Sequence, residues 1–231
     1  MAKGQKITKK ELKQPDQFQS GASRLLEYIA ENRQKVYLAS GIAGLIVLLL
    51  VGFGIYQYNY EQHANAMYSR AYNSYKLSGY TEDEDKSYQE AVTIYEELID
   101  TYSRSDAARL AYYNMGNIYY ALGEIDKSID AYQSFLKQSK RFGMMTSLAY
   151  YGLGYCYEAR KDFDNALESF KNSNKTIEGL HFTSMNYANM ARIYEKKGDQ
   201  TQALDYYKKA LEQTPDPLLE ALVKSKVASL G

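Results

Sequence analysis

Apolar residues are most concentrated over residues 36–56, near the N-terminus. This run has no charge and no proline, and its few polar groups belong to Tyr37, Ser40 and Tyr56. A helix rises about 1.5 Å per residue, so a run of this length matches a hydrocarbon core of about 30 Å. Because lipid offers no hydrogen-bond partners to an open backbone, such a run crosses a membrane as a helix. We therefore expect a single transmembrane helix over 36–56.

The two flanks of this run differ in charge. Residues 1–35 hold eight Lys or Arg against four Asp or Glu, whereas the first basic residue after the run is Arg70. Lys and Arg concentrate on the cytoplasmic side of membrane helices, which predicts a cytoplasmic N-terminus and a translocated C-terminal part, residues 57–231. The run is too long for a cleaved signal sequence, and the Ala64-Asn65-Ala66 motif lies too far beyond it. We expect an uncleaved signal anchor.

The basic leader, residues 1–35, carries a second apolar pattern. Phe18, Ala22, Leu25 and Ile29 recur at helical spacing, which predicts an amphipathic helix. Two interpretations stay open: the helix lies on the anionic inner leaflet, or it docks a cytosolic partner. Within the span, small residues four positions apart predict a face for contact with another membrane helix, formed by Ala39, Ser40, Ala43 and Gly44.

Beyond residue 60 one pattern recurs three times. Each copy pairs a small residue and an aromatic on one predicted helix with a small residue and an aromatic on the next. The copies are 38 and 37 residues apart and consist of Gly116, Tyr119, Ser128 and Tyr132; Gly154, Tyr157, Ala166 and Phe170; and Ala191, Tyr194, Ala203 and Tyr207. Small residues let the two helices of a pair nest, and aromatics fill the gaps between successive pairs.

This register resembles the tetratricopeptide repeat, a helix–turn–helix unit. The family has an aromatic, then Leu-Gly, then Tyr on its first helix, and Ala…Phe…Ala on its second. Tyrosines stand where the family usually has Trp, at Tyr112, Tyr150 and Tyr187. Gly123 and Gly198 are expected to end their first helices as left-handed caps, and Lys161 occupies the matching position in the second copy. The resemblance implies an all-α superhelix in which each repeat packs on its neighbours.

A degenerate copy precedes these three, and a final helix follows them. The degenerate copy has a longer, acidic turn over 81–87, with matching residues Tyr68, Ala71, Tyr75, Gly79, Ala91, Tyr95 and Leu98. Residues 218–230 are predicted to cap the last repeat. The predicted fold is therefore all-α, with one transmembrane helix and a superhelix of about four repeats plus the cap. No proline lies between Val36 and Ser78, so we expect the membrane helix to continue into the first repeat.

Residues suited to catalysis or metal binding are scattered. His63 and His181 have no cysteine or second histidine at metal-ligand spacing, and Cys156 occupies a packing position in its repeat. We therefore expect no catalytic site, no metal and no cofactor. Lys plus Arg equals Asp plus Glu at 28 each, and the body is mildly acidic, which argues against nucleic acid as its ligand.

Tetratricopeptide arrays bind peptides or protein surfaces in a groove lined by their first helices. The resemblance carries the groove-facing positions over, by register, to Asn73, Lys76, Tyr113, Asn117, Tyr120, Tyr151, Tyr155, Glu158, Arg192 and Glu195. Tyrosine supplies a rigid, amphipathic surface of the kind that forms binding hot spots. For Tyr113, Tyr120, Tyr151 and Tyr155, binding and packing both stay open. Tyr112, Tyr119, Tyr150 and Tyr157 are expected to be packing residues.

The whole arrangement resembles the ancillary subunit of the bacterial Sec translocon, which has a short cytosolic leader, one anchor and extracytoplasmic repeats. This resemblance implies a single-pass protein of the bacterial inner membrane with its array in the periplasm. The array would recruit chaperones, translocon subunits or client proteins near the export channel. One alternative is an adaptor in another envelope system, such as division, peptidoglycan or outer-membrane assembly. A second is a periplasmic ligand carrier or enzyme. Association of the chain into a homo-oligomer stays open as well.

Overall fold

The computed structural model describes residues 17–77, 83–138, 143–175, 182–213 and 215–231. Within these ranges the regular elements are helices, and no strand occurs. They are α1 Gln17–Glu31, α2 Arg33–Leu77, α3 Glu84–Thr101, α4 Asp106–Ala121, α5 Ile125–Gln138, α6 Gly143–Ala159, α7 Phe163–Ser173, α8 Thr183–Lys197, α9 Gln200–Glu212 and α10 Pro217–Leu230. The chain divides into two units, Met1–Tyr58 and Asn59–Gly231.

The first unit contains α1 and most of the apolar stretch of α2. α2 is long and apolar enough to cross a membrane, with a mean hydropathy of 2.5 over its most apolar window, none of which is buried within the protein. Its single helical run from Arg33 to Leu77 includes residues 57–66, as the absence of proline predicted. The leader residues before Gln17 lie outside the described part of the chain.

The second unit consists of repeats that follow one another along the chain, and each repeat is a pair of helices. Residues 59–77 of α2 pair with α3, and α4 pairs with α5, α6 with α7 and α8 with α9. α10 packs on α9, where Val223 is buried beside Ala210. The predicted all-α superhelix of four repeats and a cap is therefore confirmed. Gly79, the insertion residues 81 and 82, and His181 lie outside the described residues.

Close contacts between small residues and aromatic rings hold each pair together. A Cβ added to Gly116 would stand 2.7 Å from the Tyr132 ring, and one added to Gly154 would stand 2.5 Å from the Phe170 ring. Glycine is therefore needed at both positions, because a real Cβ does not approach a ring atom so closely. The hydroxyl of Ser128 donates to the carbonyl oxygen of Gly116 at 2.7 Å, which shows how closely α5 approaches α4.

Helix ends follow the local sequence. An acidic or hydroxyl side chain accepts a backbone N–H at the start of α3, α4, α7, α9 and α10, namely Asp83, Ser105, Asp162, Asp199 and Asp216. The first helices of the three regular repeats are followed by residues with positive φ, at Gly123 (75°), Lys161 (60°) and Gly198 (78°). Gly123 and Gly198 were predicted as left-handed ends, and Lys161 adopts the same conformation at the matching position of the middle repeat. Lys161 has a Cβ and therefore adopts this left-handed conformation at an energetic cost that glycine does not have.

Candidate functional site

The first helices of the third and fourth repeats carry a connected set of polar side chains. We call this set the polar cluster: Tyr155 and Glu158 from α6, and Asn189, Arg192 and Lys196 from α8. Three of the five were predicted from the sequence as groove residues. Asn189 and Lys196 were not.

Glu158 is the centre of the polar cluster. It is only 7% exposed, and its Oε1 accepts from Arg192 Nη1 at 2.6 Å and from Lys196 Nζ at 2.7 Å. The Arg192 and Lys196 side chains remain 38% and 47% exposed. One buried carboxylate thus fixes two cations whose charge it only half neutralises. The face that these residues present to solvent is positively charged.

Arg192 is held on further sides by its neighbours in the polar cluster. Its Nη2 donates to Asn189 Oδ1 at 3.0 Å, and its guanidinium carbon lies 5.5 Å from the centre of the Tyr155 ring. Tyr155 itself donates its hydroxyl to the same Asn189 oxygen at 3.3 Å. A guanidinium that lies over an aromatic ring and is fixed by hydrogen bonds is already ordered, so it has little conformational freedom left to lose when a partner binds.

Tyr151 and Tyr155 combine packing with a polar edge. Their rings meet the Phe170 ring with centres 5.9 and 5.5 Å away, and their hydroxyl oxygens lie 2.9 Å apart. The Tyr151 hydroxyl also donates to Met185 Sδ at 2.7 Å. Burial, followed by the hydrogen bond with Tyr155, raises the pKa of Tyr151 well above its usual range. The rings of both tyrosines anchor the site to the core through Phe170.

In the second repeat the predicted groove residues have mixed roles. Tyr113 packs against the rings of Tyr132 and Phe135 with centres 6.0 and 5.7 Å away, and Asn117 accepts the Tyr132 hydroxyl at 2.6 Å. Tyr120 is 40% exposed. Burial raises the pKa of Tyr120, and nearby Cys156, Glu158 and Tyr155 add to the rise.

The remaining predicted groove residues lie at the two ends of the array. Glu195 accepts the Tyr207 hydroxyl at 2.6 Å and Lys226 Nζ at 3.0 Å, so it joins α8 to α9 and to the cap helix. Asn73 and Lys76 are exposed on α2. Asn73 lines a cavity of about 550 Å³ together with Arg70 and Glu90, away from the polar cluster.

The residues missed from the sequence could have been found from the repeat register. Asn189 stands at the register position of Asn114, which donates to the hydroxyls of Tyr68 and Tyr95 at 2.9 and 2.8 Å. A buried asparagine at the same place in two repeats indicates a polar network between first helices. Lys196 follows Arg192 by one helical turn and therefore lies on the same side of α8.

The other candidate chemistry is limited in the part of the chain that the structure describes. No group of three or more His, Cys, Asp or Glu residues suited to a metal occurs among those residues. Cys156 is fully buried 3.1 Å from the Ser128 hydroxyl, and burial raises the pKa of its thiol. The predicted membrane-helix contact residues Ala39, Ser40, Ala43 and Gly44 are all exposed on α2.

Comparisons with known proteins agree with this geometry. The tetratricopeptide repeat family matches residues 106–173 and 145–216. The structure is similar to MamA from Desulfovibrio magneticus RS-1 (TM-score 0.52, 15% identity, 65% of this chain and 75% of that one). It is also similar to a putative kinesin light chain repeat protein from Podosopora anserina (TM-score 0.55, 13% identity, 73% of this chain and 86% of that one). No curated protein matches in sequence.

These findings define the fold of the repeat region. Residues 106–216 carry tetratricopeptide repeats, and the fold is a tetratricopeptide-repeat superhelix preceded by a helix apolar enough to span a membrane. Repeats of this fold typically serve as non-catalytic scaffolds for protein–protein interaction. At the identities found, the likeness to the two solved structures extends to the fold alone.

Proposed function

We propose that this protein is a membrane-anchored scaffold whose repeat array binds other proteins through the first helices of its second to fourth repeats. The observation that carries the proposal is the polar cluster, in which one buried carboxylate holds two partly exposed cations beside a row of tyrosines. Arginine and tyrosine dominate binding hot spots, and groups held in place before binding lose less entropy on association. The exposed positive charge favours a partner with acidic residues.

The proposed location is the bacterial inner membrane, with the N-terminus in the cytoplasm and the array in the periplasm. The basic residues before the apolar run and the absence of basic residues just after it support this orientation. The resemblance to the ancillary Sec-translocon subunit supports a role near the export channel, where the array would recruit chaperones or client proteins. An adaptor of another envelope assembly uses the same surface with a different partner.

The decisive experiment is site-specific photo-crosslinking of the full-length protein in its own membrane. A photoreactive amino acid replaces Tyr120 or Met185 on the first-helix side, which leaves the cations of the polar cluster in place, and Lys208 on α9 serves as the matched exposed control. We expect one set of partners at the first two positions that is absent at the control. Recovery of a Sec component or periplasmic chaperone supports the export role, and recovery of other envelope proteins alone replaces it with the adaptor role. Equal labelling at all three positions would refute the proposed binding face.

The orientation has its own test. A C-terminal alkaline phosphatase fusion is active only when the enzyme reaches the periplasm. We expect an active fusion, and an inactive fusion that is nevertheless made in full would place the array in the cytoplasm. The result is independent of which partner the array binds.

A further inference from the structure

We infer that α1 is a membrane-surface helix whose apolar side lies in the anionic cytoplasmic face of the bilayer. The inference goes beyond partner binding by the array, and it rests on the membrane span and orientation proposed above. The inference rests on an exposed apolar surface of α1, a helix that lies outside the apolar run. Leu25, Leu26 and Ile29 on α1 are 60%, 67% and 37% exposed.

The order of residues on α1 separates apolar from charged side chains. At 3.6 residues per turn, Leu25 and Ile29 lie one turn apart on one side, and Leu26 stands next to them. Glu27 falls on the opposite side, and Glu31 one turn after Glu27 lies there too. A helix placed with its leucines in lipid therefore directs both carboxylates toward water. Helices with this separation lie in the interface with their apolar side about 5–10 Å deep.

Charge complementarity identifies an anionic lipid surface as the occupant. Five lysines precede α1 within residues 1–16, and Arg33 and Lys35 follow it before the apolar run. Basic residues next to a membrane helix are attracted to anionic headgroups near the bilayer surface. α1 itself carries Arg24 against Glu27 and Glu31, so its own charges give no such attraction. The basic groups on both sides of α1 do.

Continuity with the apolar run places the bilayer surface within reach. Only Asn32 separates α1 from α2, its N–H donates to the carbonyl oxygen of Tyr28 at 2.9 Å, and its own carbonyl accepts the N–H of Val36 at 3.0 Å. Both bonds are helical, so α1 lies along the bilayer surface only when the chain bends at Asn32. Tyr28 is 56% exposed and stands beside Ile29, where an aromatic with a polar tip suits the headgroup level. A cytosolic protein partner needs none of these features, which is why we assign the surface to lipid.

The absence of tryptophan from the chain makes a direct test simple. Single tryptophans are introduced into the full-length protein as Ile29→Trp, as Glu27→Trp on the opposite side of α1, and as Leu48→Trp within the span. Each variant is reconstituted in bilayers of phosphatidylethanolamine with phosphatidylglycerol, with and without brominated acyl chains. We expect quenching and a blue-shifted emission at positions 29 and 48, and a solvent-like, weakly quenched emission at 27. Replacing phosphatidylglycerol by phosphatidylcholine should reduce the quenching at 29 and leave that at 48 unchanged.

The outcomes separate the inference from the proposed function. Quenching at 48 with none at 29 overturns the lipid-bound helix and leaves the anchored scaffold intact. Equal quenching at 27 and 29 also overturns it, because an oriented helix must distinguish the two. A blue shift at 29 that requires added cytosolic extract assigns the surface to a protein partner instead. Absence of quenching at 48 removes the span and therefore both proposals.

Discussion

The middle regular repeat, α6 and α7, lacks a hydroxyl group that the repeats on either side of it have at the equivalent position. Its second helix places Phe170 against the first helix, where the neighbours have Tyr132 and Tyr207. The Tyr132 hydroxyl donates a hydrogen bond to Asn117, and the Tyr207 hydroxyl donates one to Glu195. Phe170 has no hydroxyl, so Glu158 of α6 receives no hydrogen bond from this position of its own repeat and accepts instead from Arg192 and Lys196.

This difference explains which predicted groove residues support the fold and which remain for binding. Glu158 stands in register with Glu195, but it faces Arg192 and Lys196 of the next repeat instead of a tyrosine of its own. Glu195 thus accepts a hydroxyl from its own repeat as well as Lys226 of the cap helix, whereas Glu158 accepts from two cations of the following repeat. The four predictions below test this contrast, from the largest expected effect to the smallest.

Enlarging Gly154 should have the largest effect. The Phe170 ring, fully buried, leaves no room for a side chain there, so Gly154→Val should lower the free energy of unfolding by about 3 kcal/mol. Urea denaturation followed by circular dichroism measures the change. Ala159→Val, at an exposed position of the same helix, is the control for β-branching and should cost about 0.5 kcal/mol. Similar losses in both variants would show that Phe170 adapts.

Removing the carboxylate at the centre of the polar cluster should come next. Glu158→Ala leaves Arg192 and Lys196 without their shared counter-ion, and we expect a loss of about 2 kcal/mol together with loss of crosslinked partners. Lys196→Ala, which removes the more exposed cation, should cost less than about 1 kcal/mol. A double-mutant cycle of Glu158→Ala with Arg192→Ala measures the coupling. Coupling near zero would mean that the ion pair does not position Arg192.

The flanking repeat offers the corresponding test of a hydroxyl. Tyr207→Phe removes the bond to Glu195 and should cost about 1 kcal/mol near neutral pH. Burial alone raises the pKa of Glu195, but the Tyr207 hydroxyl and Lys226 outweigh it and lower that pKa below its ordinary 4.5. A lowered pKa stabilises the fold above 4.5, and this contribution is lost as pH falls through the folded value.

The pH dependence of Tyr207→Phe provides the second readout. The wild type should lose stability as pH falls below 4.5, and Tyr207→Phe should lose less over the same interval, since its Glu195 pKa is closer to the ordinary value. Denaturation midpoints at a series of pH values measure the difference. Tyr72→Phe, at an exposed tyrosine of α2, is the control and should leave the slope unchanged. Parallel curves for wild type and Tyr207→Phe would contradict the role of the hydroxyl.

The smallest effect is expected at the turn of the middle repeat, and it has the opposite sign. Lys161 has a φ of 60°, where the flanking repeats have Gly123 and Gly198. Lys161→Gly should raise the free energy of unfolding by about 0.5–1 kcal/mol, because it relieves the left-handed strain of a residue with a Cβ. Gly198→Ala is the matched reverse change, since a Cβ there meets nothing within 4 Å, and it should be destabilising. A destabilised Lys161→Gly variant would show that the Lys161 side chain contributes a contact of its own.

Much of the fold follows from the repeat register in the sequence, and the contacts within the site do not. The small and aromatic positions at 116, 132, 154 and 170 identify helix pairs because close packing permits few other residues there. The positions of the first-helix polar residues were also readable from the register. Their partners were not, because an ion pair such as Glu158–Arg192 joins residues 34 apart in the chain and depends on how far one repeat is rotated against the next.

The tyrosines left open between packing and binding show the same division. Tyr113 is a core residue by its contacts with Tyr132 and Phe135, and Tyr151 belongs to both the core and the polar surface. Helical periodicity cannot distinguish these cases, since a tyrosine at the border of core and groove satisfies both patterns. The hydroxyl partners on neighbouring helices decide the role, and those become known only with the structure.

The burial of Cys156 has a practical consequence for kinetics. It is the chain's one cysteine, it is fully buried, and Ser128 of the preceding repeat contacts its sulfur. A thiol reagent can react with it only after α5 and α6 separate, so the labelling rate under native conditions reports how often that junction opens. The labelling rate of Cys156 therefore measures local opening of the superhelix, and it can be compared with and without a bound partner.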